Sequence, residues 1–187
     1  MQFLYGKNYS ARYHAISELI PEGESVLDVC CGDCALYKRA LMCRDITYTG
    51  IDINNKFILS ALKQSINAFQ LDIRKDTIPK SDNVLMQASL YQFIPQHRLV
   101  VDKLLNSAGK QLIISEPIKN LSSSNNFIIK SVARFSANPG TGHTVKRFSE
   151  ETFRRFFTDN YKNVIVDFVL LPGGRELMVI LDARAGN

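Results

Sequence analysis

The run Ser25 to Leu36, SVLDVCCGDCAL, constrains this chain more than any other stretch. Ser25 to Cys30 is a short apolar run that carries one acid, Asp28. Cys31-Gly32-Asp33-Cys34 is a tight turn of small residues, and Ala35, Leu36, Leu41 and Met42 then recur at a helical spacing. Strand, tight turn, helix is a geometry that turns free backbone N–H groups and a positive helix end toward a ligand. Gly32 lets the backbone approach that ligand closely, because no side chain stands in the way.

The alternation continues along the chain. Asn8 to Ile20 reads as a helix with Ala11, Ala15, Ile16, Leu19 and Ile20 on one face, ended by Pro21 and Gly23. Ile46 to Ile53 is a second strand, and Asn54 caps a helix that runs to about Ser65 with Phe57, Ile58, Ala61 and Leu62 inward. Ile66 to Leu71 is a third strand and Asp82 to Ala88 a fourth. A helix over Pro95 to Ser107, with Leu99, Val100, Leu104 and Leu105 inward, leads to a fifth strand, Lys110 to Ser115. Strict alternation of this kind predicts a mostly parallel sheet with helices on both faces, a three-layer α/β sandwich. Ligands of such sheets bind outside the carboxyl ends of the strands. The last third differs. Phe127 to Phe135 reads as an apolar helix and Ala137 to Thr144 as a loop. Ser149 caps a further helix, with Glu150 and Glu151 at its positive end. Val164 to Leu171 and Glu176 to Leu181 are strands joined by Pro172-Gly173-Gly174, a hairpin signal.

The bulk numbers narrow the class. At 187 residues the chain fits one domain, spanning 1–187. No run of eighteen apolar residues is present, so no membrane span is expected, and the N-terminus lacks a signal-peptide pattern; a cytoplasmic location is expected. The net charge of +5 is scattered rather than gathered into a stripe with interleaved aromatics, which argues against a nucleic-acid partner. Four cysteines, Cys30, Cys31, Cys34 and Cys43, lie within fourteen positions and read as free thiols rather than a disulfide framework.

The acids at the strand ends carry the chemistry. Asp52 ends the second strand, twenty-four residues after Asp28, where a carboxylate can accept both hydroxyls of a ribose bound at the first turn. Asp72 ends the third strand, placed to accept from an exocyclic amine such as that of adenine. Together they outline a pocket for an adenosine. The G-x-G-x-x-G frame of a dinucleotide site is absent, and so is the Gly-Lys-Ser/Thr of a P-loop.

With these residues the chain resembles the class I S-adenosylmethionine-dependent methyltransferases, whose first motif reads acid-x-Gly-x-Gly-x-Gly. Here it reads Asp28-Val29-Cys30-Cys31-Gly32-Asp33-Cys34, with the middle glycine kept and Cys30 and Cys34 in place of the outer two. The resemblance implies a seven-stranded sheet that ends in an antiparallel hairpin and S-adenosyl-L-methionine as cofactor. It implies cofactor contacts from Asp28, Cys30, Cys31, Gly32 and Asp33, from Asp52 and Ile53, from Asp72 and Ile73, and from Ser89 and Leu90. A non-glycine residue at either outer position is strained if that position needs a positive φ. Residues 1–22 would form an N-terminal helix able to act as a lid, with Tyr5, Tyr9, Arg12 and Tyr13. Residues 117–158 would form an acceptor-side insert between strands five and six, with the acceptor side open or completed by a second subunit as a homodimer. The expected partner is a small-molecule methyl acceptor. Neither a nucleic-acid module nor the Asn/Asp-Pro-Pro-aromatic motif of base-amine methyltransferases is present; Ser89-Leu90-Tyr91-Gln92 stands there instead.

Transfer of an activated methyl needs alignment above all, and a base only where the acceptor arrives protonated. Tyr91, Glu116 and His143 are the candidates near the strand ends. Two rival readings stay open at this level. One is a protein that binds S-adenosylmethionine or its demethylated product without turnover. The other is a thiol redox or metal site built on Cys31-x-x-Cys34.

Overall fold

The computed structural model describes residues 8–118 and 147–185. Its centre is a seven-stranded sheet. In chain order the strands are β1 (Ser25–Val29), β2 (Thr47–Asp52), β3 (Ala68–Gln70), β4 (Ser81–Gln87), β5 (Ala108–Pro117), β6 (Ile165–Leu170) and β7 (Glu176–Asp182). Across the sheet they lie in the order β3-β2-β1-β4-β5-β7-β6. The pairs from β3 through β5 are parallel, and β7 runs antiparallel between β5 and β6. Strand order reverses between β1 and β4, which pair from Val26↔Asn83 to Val29↔Met86, so the crevice beyond Val29 and Met86 is the topological switch point.

Helices cover both faces, and alternation within each strand decides which face receives which side chain. Val26, Leu85, Ile113, Met178 and Ile180 meet α1 (Asn8–Ser17), a π-helical turn (Tyr37–Leu41) and α2 (Asn55–Leu62). Leu27, Val29, Val84, Met86, Leu112, Ile114, Leu177, Val179 and Leu181 meet α3 (His97–Ser107) and α4 (Glu150–Tyr161). The expected caps form. Asn54 accepts from the Lys56 amide, and Ser149 and Thr152 exchange side chain-to-backbone bonds at the start of α4. Gly173 and Gly174 both take positive φ (95° and 61°), as the hairpin between β6 and β7 requires.

Several expectations are corrected. The helix after the first turn does not run regularly to Met42. It widens into the π-helical turn, where the Met42 amide bonds to the Tyr37 carbonyl, and this rotates Leu41 inward and leaves Met42 exposed. In α2 only Ile58 and Ala61 are buried, while Phe57 and Leu62 are exposed, because this eight-residue helix covers only a short edge of the sheet. In α3 Leu99 faces solvent and Val101 takes the inward position beside Val100 and Leu104. β3 is three residues long, although the flanking Ile66 and Leu71 are buried. β5 is longer than expected and carries Glu116 and Pro117 inside the strand, opposite Leu177 and Glu176.

Polar groups tie the layers together where the core could not. At the amino ends of the strands, Asp82 accepts from the Ser25 amide and hydroxyl, and Lys110 reaches Glu24 at 2.6 Å. Asn83, fully buried, donates to Glu24 and to the Ser25 carbonyl and accepts from Gln111. Near the carboxyl end of β5, Arg12 of α1 donates to Glu176 of β7 at 2.7 Å with both side chains buried, and the Ser115 hydroxyl donates to the same carboxylate oxygen. Removing one partner of a buried pair leaves the other charge without compensation, at about 3–5 kcal/mol. Arg12→Ala is therefore expected to lower the unfolding free energy obtained from urea denaturation by that amount, whereas Arg12→Met with Glu176→Leu costs much less. A single substitution as mild as the double one would show that this pair does not hold α1 to the sheet.

Candidate functional site

The turn after β1 is built from three left-handed residues in alternation: Cys30 at φ 59°, Gly32 at φ 54° and Cys34 at φ 55°. The backbone thus takes at both cysteines the conformation that favours glycine, at about 1–2 kcal/mol for each non-glycine residue. The turn is held from β2. The Cys31 amide donates to the Ile51 carbonyl at 3.0 Å, and the Gly32 amide donates to Asp52 Oδ2 at 2.9 Å. The other oxygen of Asp52 accepts from the Asn54 amide at 2.8 Å. A Cβ built on Gly32 would meet no atom within 4 Å, so this face of the turn is open to a ligand.

Asp28 is buried beneath the turn and accepts from the Tyr48 hydroxyl at 2.9 Å. Burial pushes its carboxyl up to about 7, against the opposing pull of the Tyr48 bond. Burial also raises the Cys30 thiol, helped by the charges of Asp52, Asp28 and Glu116. Asp33 is exposed and lies 3.4 Å from Lys38. Ile53 is half-exposed at the rim.

The next strand ends complete the wall. Ala88 takes φ 50° and donates its amide to the Ser115 carbonyl. Ser89 and Leu90 follow, both buried, and the Leu90 amide donates to Glu116 Oε1 at 2.5 Å. Glu116 is 1% exposed, and burial pushes its carboxyl up to about 8, with the Leu90 N–H bond opposing. It stands behind the wall and not on its surface. Asp72 is gripped by Arg74, whose Nε and Nη2 reach its two oxygens at 2.9 and 3.0 Å; these bonds hold the Asp72 carboxyl below its ordinary value. Ile73 beside it is buried.

The structure therefore brings Cys30, Cys31, Gly32 and Asp33 into one turn, with Asp28 of β1 beneath it and Asp52 of β2 bonded to its amide, and couples Leu90 to Glu116. Asp72 and Ile73 sit at the next strand end, with Arg74 as an additional partner. Tyr91 is buried with the Arg147 guanidinium 4.4 Å from its ring centre. His143 and Tyr5 lie outside the described residues. Tyr9, Arg12 and Tyr13 are buried in the core against the sheet. Sequence reasoning missed Arg74, Tyr48 and Arg147. Tyr48 could have been found from its position on β2 opposite Val26, two residues before Asp28 on the neighbouring strand; the contact of Arg147 with Tyr91 has no local signal. It also missed a groove of about 340 Å³ beyond Tyr91, lined by Ile94, His97, Arg147, Phe148, Arg155 and Phe156 among others. There the His97 ring packs against Phe156, its centre 4.3 Å away and the ring planes inclined at 43°.

Two buried acids with raised values give a signed pH dependence. Unfolded, Asp28 and Glu116 titrate near about 4; folded, they titrate at about 7 and about 8. The folded chain holds more protons between those limits, so the stability they contribute is complete below the unfolded values and is lost as pH rises through the folded ones. The melting temperature is expected to be higher at about pH 6 than at about pH 8.5. Asp28→Asn, which can still accept from Tyr48, should flatten part of that slope; an unchanged slope would show that Asp28 does not titrate there.

No curated protein matches the sequence. Solved structures match the fold over nearly the whole chain. Magnesium protoporphyrin IX methyltransferase (ChlM) from Synechocystis PCC 6803 with bound SAH is 16% identical, with 97% of this chain and 86% of that one covered and a TM-score of 0.67. DesVI from Streptomyces venezuelae is 16% identical over 96% of this chain and 94% of that one, with a TM-score of 0.67. The methyltransferase domain of bacterial CtHen1-C is 15% identical over 92% and 97%, with a TM-score of 0.71. The seven-stranded sheet with its antiparallel β5-β7-β6 edge is thus the Rossmann-like fold of the class I S-adenosylmethionine-dependent methyltransferases. The model of the methionine biosynthesis protein MetW matches residues 10–123, well over half of the chain, and the chain belongs to the MetW family.

Proposed function

We propose that the chain is a cytoplasmic S-adenosyl-L-methionine-dependent methyltransferase for a small-molecule acceptor. The observation that carries this reading is the turn itself. Three left-handed residues stand at the three glycine positions of the motif, with an open face at Gly32 and an acid from β2 bonded to its amide. The two cysteines keep the backbone path that glycine would give.

The residues fit the cofactor in kind. Each Asp52 oxygen takes one backbone N–H and keeps a lone pair for a ribose hydroxyl. Asp72, oriented by Arg74, keeps acceptor capacity for the adenine amine, with Ile73 as its apolar neighbour. Cys30, Ser89 and Leu90 would flank the amino-acid part. When bound, the cofactor supplies a sulfonium methyl already activated for in-line displacement. What remains for the chain is to orient the acceptor and exclude water. Glu116 contributes by fixing the Leu90 amide, and hence the wall, from behind. Arg147 lies over Tyr91 beside that wall, and the groove that Arg147 lines offers rings and two guanidinium groups to a small acceptor. No helix among the described residues is long and apolar enough to cross a membrane.

Isothermal titration tests the reading. S-adenosylmethionine and S-adenosylhomocysteine are expected to bind the reduced chain, and Asp52→Ala to weaken both at least about tenfold, since a hydrogen bond to a charged group contributes about 1.5–3 kcal/mol. No binding to the reduced wild type would overturn the reading. Binding with no methyl transfer to any acceptor in a broad panel would replace it with a sensor of the cofactor or its product.

A further inference from the structure

The quartet Cys31-Gly32-Asp33-Cys34 carries chemistry that methyl transfer does not use. The two sulfurs are in contact, Cys34 Sγ to Cys31 Sγ at 3.7 Å. The Cys34 amide donates to the Cys31 carbonyl at 2.9 Å, which closes residues 31–34 into a turn. Such a turn keeps its end Cα atoms within about 7 Å, close to the span a disulfide bridges. Cys31 also wedges against β2, where its Sγ lies 2.9 Å from the place a Gly50 Cβ would occupy, so a glycine at position 50 is what makes room for it. The other two cysteines differ. Cys43 is exposed, and Cys30 is flanked by the acids Asp28, Asp52 and Glu116.

The surroundings set how the pair holds its protons. Tyr48, Lys38, Asp33, Asp28 and Asp52 are the charged or titratable groups that act on it. The contact with Cys31 lowers the Cys34 thiol, helped by the Tyr48 hydroxyl and the Lys38 ammonium against burial. The same contact and burial raise Cys31. The two thiols are thus unlike, one lowered and one raised, across a sulfur–sulfur contact of 3.7 Å.

We propose that Cys31 and Cys34 form a dithiol site that a hydroperoxide converts into a disulfide inside the cofactor turn. Cys34, the thiol whose proton is lost more readily, attacks one peroxide oxygen as thiolate. The O–O bond breaks, the second oxygen leaves as hydroxide or alkoxide, and Cys34 becomes a sulfenic acid. The Cys31 sulfur then attacks the Cys34 sulfur, the S–O bond breaks, and the Cys31 proton leaves with that oxygen as water. The dithiol is oxidised by two electrons and the peroxide is reduced. Closing the sulfurs from 3.7 Å to bonding distance pulls Cys31 away from Gly50 and reshapes the turn whose central amide, Gly32, is bonded to Asp52. Oxidation therefore weakens the cofactor, and by linkage bound cofactor protects the dithiol. This coupling rests on the proposed function; the disulfide does not.

The test uses the full chain, reduced and then exposed to hydrogen peroxide, with free thiols blocked and peptides mapped by mass spectrometry. Two of the four thiols are expected to be lost as a Cys31–Cys34 link that dithiothreitol reverses. Cys31→Ser and Cys34→Ser, shown to be folded by circular dichroism, should abolish the link, and Cys43→Ser should leave it. Retention of all four thiols, linkage to Cys30 or Cys43, or loss that dithiothreitol does not reverse would overturn the site. In titrations, oxidation should lower S-adenosylhomocysteine affinity by about tenfold or more. Equal affinity before and after linkage would overturn the coupling. Absence of binding by the reduced chain would overturn the proposed function and leave the dithiol to be judged on the mapped peptides.

Discussion

The hydrogen bond from the Gly32 amide to Asp52 is the constraint on which the site depends. It joins the turn after β1 to the end of β2, and so sets the distance between the two places that a nucleoside ligand must reach together. It also explains why non-glycine residues can stand at two left-handed positions. With Cys31 bonded to Ile51 and Cys34 bonded back to Cys31, the turn has few alternatives that keep its amides paired. The neighbouring bonds over-determine the conformation, and the strain at Cys30 and Cys34 is retained in the folded state.

Buried polar groups repeat this logic across the molecule. Asp28 under the turn is satisfied by Tyr48, Glu116 by the Leu90 amide, and Glu176 by Arg12 and Ser115. Each joins two elements that apolar packing alone would leave free to slide: β1 to β2, β5 to the wall after β4, and α1 to β7. The arrangement has an electrostatic consequence. Glu116 lies behind the surface, and beside it the Arg147 guanidinium lies over the buried Tyr91 ring. That balance suits a reaction in which orientation counts for more than proton transfer.

The cysteines turn the same crowding into reactivity. Small side chains were needed where the motif runs close to β2, and thiols meet that need. Two of them fall three residues apart in a closed turn, and this makes contact between their sulfurs a result of the backbone path.

The sequence by itself determined the architecture and the placement of the cofactor turn. Periodicities of two and of about 3.6 residues are local, and so are the caps at Asn54 and Ser149 and the double glycine of the hairpin. The spacing of Asp28, Asp52 and Asp72 marked the strand ends for the same reason, since each strand in a parallel sheet finishes on the same edge. Local pattern failed where a face had to be chosen. Phe57, Leu62 and Leu99 are apolar in helical register, yet they are exposed, because the width of the sheet beneath each helix decides how many positions are covered. The widening at Tyr37–Leu41 is likewise invisible in a regular period. Only the tertiary structure decided that Glu116 is buried, that Arg147 covers Tyr91, and that Arg12 meets Glu176 from the far end of the chain. Those pairings join segments that sequence spacing does not relate. They are set by which charges the closing layers would otherwise strand away from water, a cost that exists only once the chain has folded.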